Sequence, residues 1–169
     1  IGNTAITRAQ YFKVIEAKTA ALFAASCEVA PILIGQNPAP FTHYGHGLGM
    51  AFQIIDDVMD YTSPKMGKDK GDDYLEGKIT LPVIIALENA NHEDQYAIAQ
   101  SISEPQKENL DAFIALLEKY DAFERSTTIA EKYCETAINA ISDYDGDIAD
   151  ALTNLPRSIL HRAIPPICP

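Results

Sequence analysis

The chain has 169 residues, 47% of them hydrophobic, enough for one domain with a substantial core. Its formal net charge of −11, with 6 basic against 15 acidic groups after Leu87, argues against a nucleic-acid partner. The sequence holds no apolar run as long as a membrane span and no basic-then-apolar leader, which predicts a soluble, cytoplasmic protein; Cys27, Cys134 and Cys168, odd in number and widely spaced, read as thiols of a reducing compartment.

Thr7 is placed to cap a helix from Arg8, with Tyr11, Val14, Ile15 and Lys18 at helical spacing. From Ala17 to Ile34 the chain is rich in small residues that let helices approach closely, which predicts an interior helix. Lys18 within it is open to two readings: a lysine snorkelling to the surface, or a cation held in a cavity for phosphate. Gly35 to Pro40 breaks the pattern, and the next helix is expected from about Pro40 to Tyr61. Gly45, Gly47 and Gly49 lower its intrinsic propensity and so imply close packing. His43 and His46 have a metal-compatible i, i+3 spacing but precede Asp56 by almost three turns, and are set aside as ligands.

On that helix, at about 100° per residue, Leu48, Phe52, Ile55 and Met59 fall on one stripe, widened by Ala51, Ile54 and Val58. Gln53, Asp56, Asp57 and Asp60 share the remaining sector. Like charges this close raise one another's pKa unless a cation lies between them, and carboxylate oxygens suit Mg²⁺, so the sector is a candidate metal site. The alternative is a solvated helix face, which is the favoured reading for Asp57 taken alone. From Thr62 to Gly77 the periodicity is lost, with three of the nine glycines and Pro64, which predicts a mobile loop over a site. Lys65, Lys68, Lys70 and Lys78 gather beside the aspartates, either for an anionic ligand or as a charge-balanced surface loop.

Lys78 to Glu88 resumes an apolar helix that tolerates Pro82 in its first turn. Asn89 to Gln95 reads as a polar turn. Helical patterns follow over Glu104 to Lys119 and Asp121 to Ser142, and the Tyr144-Asp145-Gly146-Asp147 turn leads into Ile148, Leu152 and Leu155. Strand alternation persists nowhere, so the class is all-α, with one helical domain over residues 1–164 and a non-helical tail, Pro165 to Pro169.

Phe52-Gln53-x-x-Asp56-Asp57-x-x-Asp60, followed by Gly67-Lys68-x-x-Gly71-x-Asp73 and Gly77-Lys78-x-Thr80-Leu81-Pro82, resembles the second aspartate-rich region of the trans-isoprenyl (polyprenyl) diphosphate synthases. Lys18-Thr19-Ala20-Ala21-Leu22-Phe23 resembles that family's Lys-Thr motif, so the resemblance runs from about Tyr11 onward. It implies an isoprenoid-synthase-type helical bundle, of which this chain is expected to be the C-terminal half only, because the family's first DDxxD motif is not in it.

The implied activity is prenyl transfer: head-to-tail condensation of isopentenyl diphosphate with an allylic diphosphate. By the same resemblance Asp56, Asp57 and Asp60 form the Mg²⁺ side, with Asp56 the foremost ligand. Lys18, Thr19, Gln53 and Lys68 take catalytic positions; Lys18, Gln53, Lys68 and Lys78 contact substrate; Asp73 orders the loop lysines. A homodimer is implied for the complete enzyme, with no nucleic acid involved and a product that passes to the membrane. The isolated chain, lacking half the metal site, is expected to be inactive. Tyr74 departs from the leucine of many relatives. Two alternatives stand beside this reading: a non-catalytic helical subunit of a heteromeric synthase, and another class I isoprenoid enzyme such as a terpene cyclase, which is not expected to carry Gly77 to Pro82.

Overall fold

A computed structural model describes residues 6–62 and 70–163, and every regular element among them is helical. Thr7 does cap α1 (Arg8–Ile15): its hydroxyl accepts from Gln10 N, and the Gln10 side chain reaches back to Thr7 N in a capping box. Past Ile15 the helix continues as a π-helical segment, Glu16–Ala20, and then as α2 (Ala21–Leu33). The Gly35 turn, with its left-handed φ of 70°, sends the chain back along α3 (Ala39–Thr62).

α3 is the axis of the molecule. Gly45 faces α2, and Gly49 the end of the π segment, so closely that a Cβ would lie 2.5 Å from Phe23 O and 2.6 Å from Ala20 Cα. Gly47 faces the other way, where a Cβ would meet Tyr133 O at 2.7 Å, on α8 (Ala122–Ala140). The three glycines thus serve the close packing their sequence implied. Clasped from both sides, α3 buries Leu48, Ala51, Ile54, Ile55, Val58 and Tyr61, each large aliphatic side chain worth about 1.5–3 kcal/mol. Phe52 and Met59, expected on the centre of the stripe, lie only half-buried at its margin. Phe52 packs against Phe23 there, with the Arg162 guanidinium over its ring.

The remaining helices are α4 (Asp72–Leu75), α5 (Leu81–Asn89), α6 (His92–Ser103), α7 (Leu110–Lys119) and α9 (Asp147–Ala163), with a 3₁₀ turn, Lys107–Asn109, before α7. α6 falls partly on the expected polar turn. Asn91 accepts from Asp94 N as its N-cap, so the polar run is the start of a helix that buries Ile98 and Ile102. α5 begins three residues later than expected: Lys78 to Thr80 are not helical, and Pro82 sits in the first turn. Tyr74, in α4, is fully buried and stacks on Phe113 at 4.6 Å, a place a leucine could not fill to the same volume.

α2 does not match its expectation of an interior helix. Its small residues meet α3 on one side, but Leu22, Val29 and Leu33 are exposed, Leu33 to 79%. α9 contains Pro156, whose missing N–H leaves the Leu152 carbonyl without its helical donor; Tyr44 OH on α3 donates to it at 2.7 Å. Cys27 and Cys134 are free thiols, and Cys168 lies outside the described residues. Among the described residues no helix is long and apolar enough to cross a membrane. The expected tail from Pro165, and Lys65, Lys68 and most of the expected loop, lie outside the described residues.

Candidate active site

The elements converge on a cavity of about 520 Å³ between α1, the π segment, α3 and the α4–α5 connection. Lys18, Gln53, Asp56, Asp57, Asp60 and Lys78 all line it, joined by Tyr11 and Asp73, while Val14, Ile15, Ile79 and Ile102 form an apolar wall. Six of the eight residues singled out in sequence therefore meet in one place. Thr19 reaches it through Gln53, and Lys68 lies outside the described residues.

The π segment explains how Thr19 reaches α3. In a regular α-helix, residues four apart precess by about 40° per step. A π turn bonds i to i+5 and takes more residues per turn, so Tyr11, Ile15 and Thr19 remain on one face. Thr19 Oγ1 donates to Gln53 Oε1 at 2.7 Å, Gln53 Nε2 donates to Asp57 Oδ1 at 2.9 Å, and Tyr11 OH donates to Asp57 Oδ2 at 2.6 Å. With both ends held, the Gln53 amide has one orientation. Lys18, in the same segment, is exposed at the cavity edge and makes no ion pair among the described residues.

The three motif aspartates have different surroundings. Asp57, for which a solvated face was the favoured reading, is only 5% exposed. Burial pushes its pKa up to about 6, against the downward pull of the Tyr11 and Gln53 hydrogen bonds. Burial, then the Asp57 charge, holds the Tyr11 phenol far above its ordinary range, so it stays protonated and a donor. Asp60 is also buried; its Oδ2 accepts from Asp73 N at 2.9 Å and its carbonyl from Gly71 N at 2.9 Å, which ties the start of α4 to α3. Asp56 is half-buried on the cavity wall.

Lys78 Nζ lies 2.6 Å from Glu76 and 3.0 Å from Asp73, and these carboxylates hold its ammonium well above the lysine range. Asp73 thus pairs with Lys78; Lys65 and Lys68, which it is also expected to order, lie outside the described residues. Neither Tyr11 nor its bond to Asp57 was legible beforehand, because a phenol on an apolar helical face gives no sign of a partner 46 residues away.

Among the described residues, no three His, Cys, Asp or Glu side chains converge to hold a metal ion by themselves. That does not conflict with a magnesium-type ion, which is usually held by one or two carboxylates together with substrate phosphates and water. Asp56 and Asp60, one turn apart on the cavity wall with Lys18 and Lys78 nearby, fit that donor set.

Comparison with known proteins bears on the family and the fold. The sequence profile described as Polyprenyl synthetase matches residues 2–119. An all-trans-nonaprenyl-diphosphate synthase (geranyl-diphosphate specific) of Rhodobacter capsulatus is 36% identical over 157 residues, 90% of this chain and 48% of that protein. A heptaprenyl diphosphate synthase component 2 of Bacillus subtilis is 36% identical over 137 residues, 78% of this chain and 39% of that protein. Among solved structures, a decaprenyl diphosphate synthase from Rhodobacter capsulatus superposes with a TM-score of 0.88 at 33% identity, covering 96% of this chain and 53% of the other. A polyprenyl synthase from Caulobacter crescentus, complexed with calcium and isoprenyl diphosphate, gives 0.88 at 29% identity over 94% of this chain and 51% of the other. The chain spans about half the length of the curated relatives it matches. With the profile covering most of its residues and the helices following those of solved synthases, the chain belongs to the polyprenyl synthetase family.

Proposed function

We propose that the protein is a prenyltransferase, a trans-polyprenyl diphosphate synthase that joins isopentenyl diphosphate head to tail to an allylic diphosphate with Mg²⁺ as its metal. The observation that carries the reading is a cavity that sets Asp56 and Asp60 beside Lys18 and Lys78 and against an apolar wall. In the reaction the allylic carbon–oxygen bond breaks, diphosphate leaves with the electron pair, the isopentenyl double bond attacks the allylic cation, and a proton is lost to form the new double bond.

The chain's own groups each meet a requirement of that sequence. Asp56 and Asp60 would hold the metal, with Asp57 behind them. Mg²⁺ bound there would neutralise charge growing on the leaving diphosphate. Lys18 and Lys78, with Lys68, would contact phosphate oxygens and stabilise the same charge; Lys78 would exchange its carboxylate partners for phosphate. Gln53, held by Thr19 and Asp57, would present its amide to the reacting end. Val14, Ile15, Ile79 and Ile102 keep water from the apolar part of the substrate. The complete enzyme on this reading is a cytoplasmic homodimer whose product passes to the membrane.

A helical subunit working beside a catalytic partner is a second reading. It draws on the exposed apolar side of α2, which offers a surface for a partner chain. Incubating the intact protein with labelled isopentenyl diphosphate, an allylic diphosphate and Mg²⁺, and measuring organic-extractable product, separates the two. Turnover by the protein alone supports the first; turnover only after a partner is added supports the second.

A further inference from the structure

We infer that Tyr11 is a positioning residue, which fixes the orientation of the Gln53 amide over the cavity by clamping Asp57. The inference rests on the proposed prenyl transfer for its kinetic consequence, but its geometry stands independently.

Asp57 has two oxygens, and each accepts from a different helix. Oδ2 takes the Tyr11 hydroxyl from α1, and Oδ1 takes Gln53 Nε2 from one turn earlier on α3. A carboxylate held at one oxygen alone can rotate about its Cβ–Cγ bond. Held at both, it presents Oδ1 at one place, and the Gln53 nitrogen must point there. The Thr19 hydroxyl completes the assignment by donating to the opposite end of the same amide. Tyr11 and Asp57 are both about 95% buried, so water cannot readily replace the phenol as donor. Tyr11 is itself held edge-on by Phe12, at 5.5 Å between ring centroids. Its ring is therefore a fixed strut, and removing only its oxygen isolates the clamp from the packing.

Tyr11→Phe in the protein at its natural length is the test, read first by exchange of the Gln53 side-chain amide protons in NMR. These should exchange slowly in the parent and at least tenfold faster in the variant. With the allylic and isopentenyl diphosphates and Mg²⁺ as probes, kcat should fall about tenfold while both KM values and the metal requirement stay within twofold. In a Gln53→Leu background the same Tyr11→Phe change should cost less than twofold, because its effect runs through Gln53. Ile54→Val, a core trim elsewhere on α3, controls for general loosening and should leave Gln53 exchange as in the parent. Should Tyr11→Phe not fold, Asp57→Ala removes the group that joins Tyr11 to Gln53, and retained Gln53 protection there overturns the inference. Unchanged Gln53 exchange, or an equal tenfold loss in both backgrounds, overturns it as well. If the parent carries out no condensation, the proposed function falls, and amide exchange alone decides the role of Tyr11.

Discussion

Asp56 shares one helix face with two other carboxylates, and its replacement by alanine removes its repulsion of Asp57 in the metal-free protein. The melting free energy of Asp56→Ala should stay within about 1 kcal/mol of the parent, while Mg²⁺-dependent kcat falls by at least about a hundredfold, because the lost contact acts on charge that develops only in the transition state. Thermal melting beside turnover checks both; a variant that melts early yet keeps its rate would make the acidic patch a structural network. Asp57 behaves differently. Its folded-state value of about 6 lies above the roughly 3.9 of an unfolded aspartate. The native state therefore binds the proton more tightly, and this group's contribution to stability falls as pH rises from about 4 to 6, by at most roughly 1.4 kcal/mol per unit, then levels off. Asp57→Asn cannot titrate, so in metal-free buffer the stability of the parent relative to the variant should decline across that window. A flat difference would mean that Asp57 titrates as an ordinary surface carboxylate. Phe52, being half-buried, should cost less than the roughly 3–5 kcal/mol of a fully buried phenylalanine when cut to alanine.

The seam between α2 and α3 depends on residues with no side chain to contribute. Gly49→Ala would place a methyl 2.6 Å from Ala20 Cα, a backbone atom that cannot step aside. The helices must part, at a cost of about 1–3 kcal/mol, and the Thr19–Gln53 bond one turn away should lengthen, so activity is expected to drop along with Tm. Gly35→Ala meets nothing within 4 Å and should disturb only its own left-handed turn, leaving the rate unchanged. Much of this seam was legible in advance. The glycines on a helix otherwise built for burial announced a close neighbour, and the 3.6-residue spacing put Gln53, Asp56, Asp57 and Asp60 in one sector. What local pattern could not supply was the identity of neighbours. α2 looks interior because its composition is apolar, yet composition does not say how many sides of a helix are covered. Phe52 moved to the margin because α3 is gripped from two directions, a tertiary fact. α6 was lost because Asn91, Glu93 and Asp94 serve as cap and first turn, and the same residues are equally at home in a loop.

Across the whole molecule, all the candidate site residues fall before residue 119, where the family profile ends, but the support for α3 does not. Gly47 packs on Tyr133 and Ala137, and Tyr44 is anchored to Leu152, both from segments beyond it. A chain cut after Lys119 keeps every proposed ligand and should still lose cooperative unfolding in circular dichroism; a sharp transition would show that α8 and α9 are dispensable. The outward side of α2 has a consequence of its own. Leu22, Val29 and Leu33 form an apolar row that predicts self-association of the 169-residue chain, and Leu22→Glu with Leu33→Glu should shift its sedimentation toward monomer.

The π segment also governs how this protein can change over evolutionary time. A π turn amounts to one extra residue accommodated by a helix, so deleting Ala17, whose side chain is exposed, would heal Glu16–Ala20 into regular α-helix and leave helical content intact. The repair would swing Arg8–Ile15 about 100° around the axis relative to α2, carrying the phenol of Tyr11 away from α3 while the glycine contacts behind it stayed in register. Position 17 can therefore change in kind but not in number: a single-codon loss there would keep the helix while turning Tyr11 and Ile15 out of their buried places and dismantling the cavity.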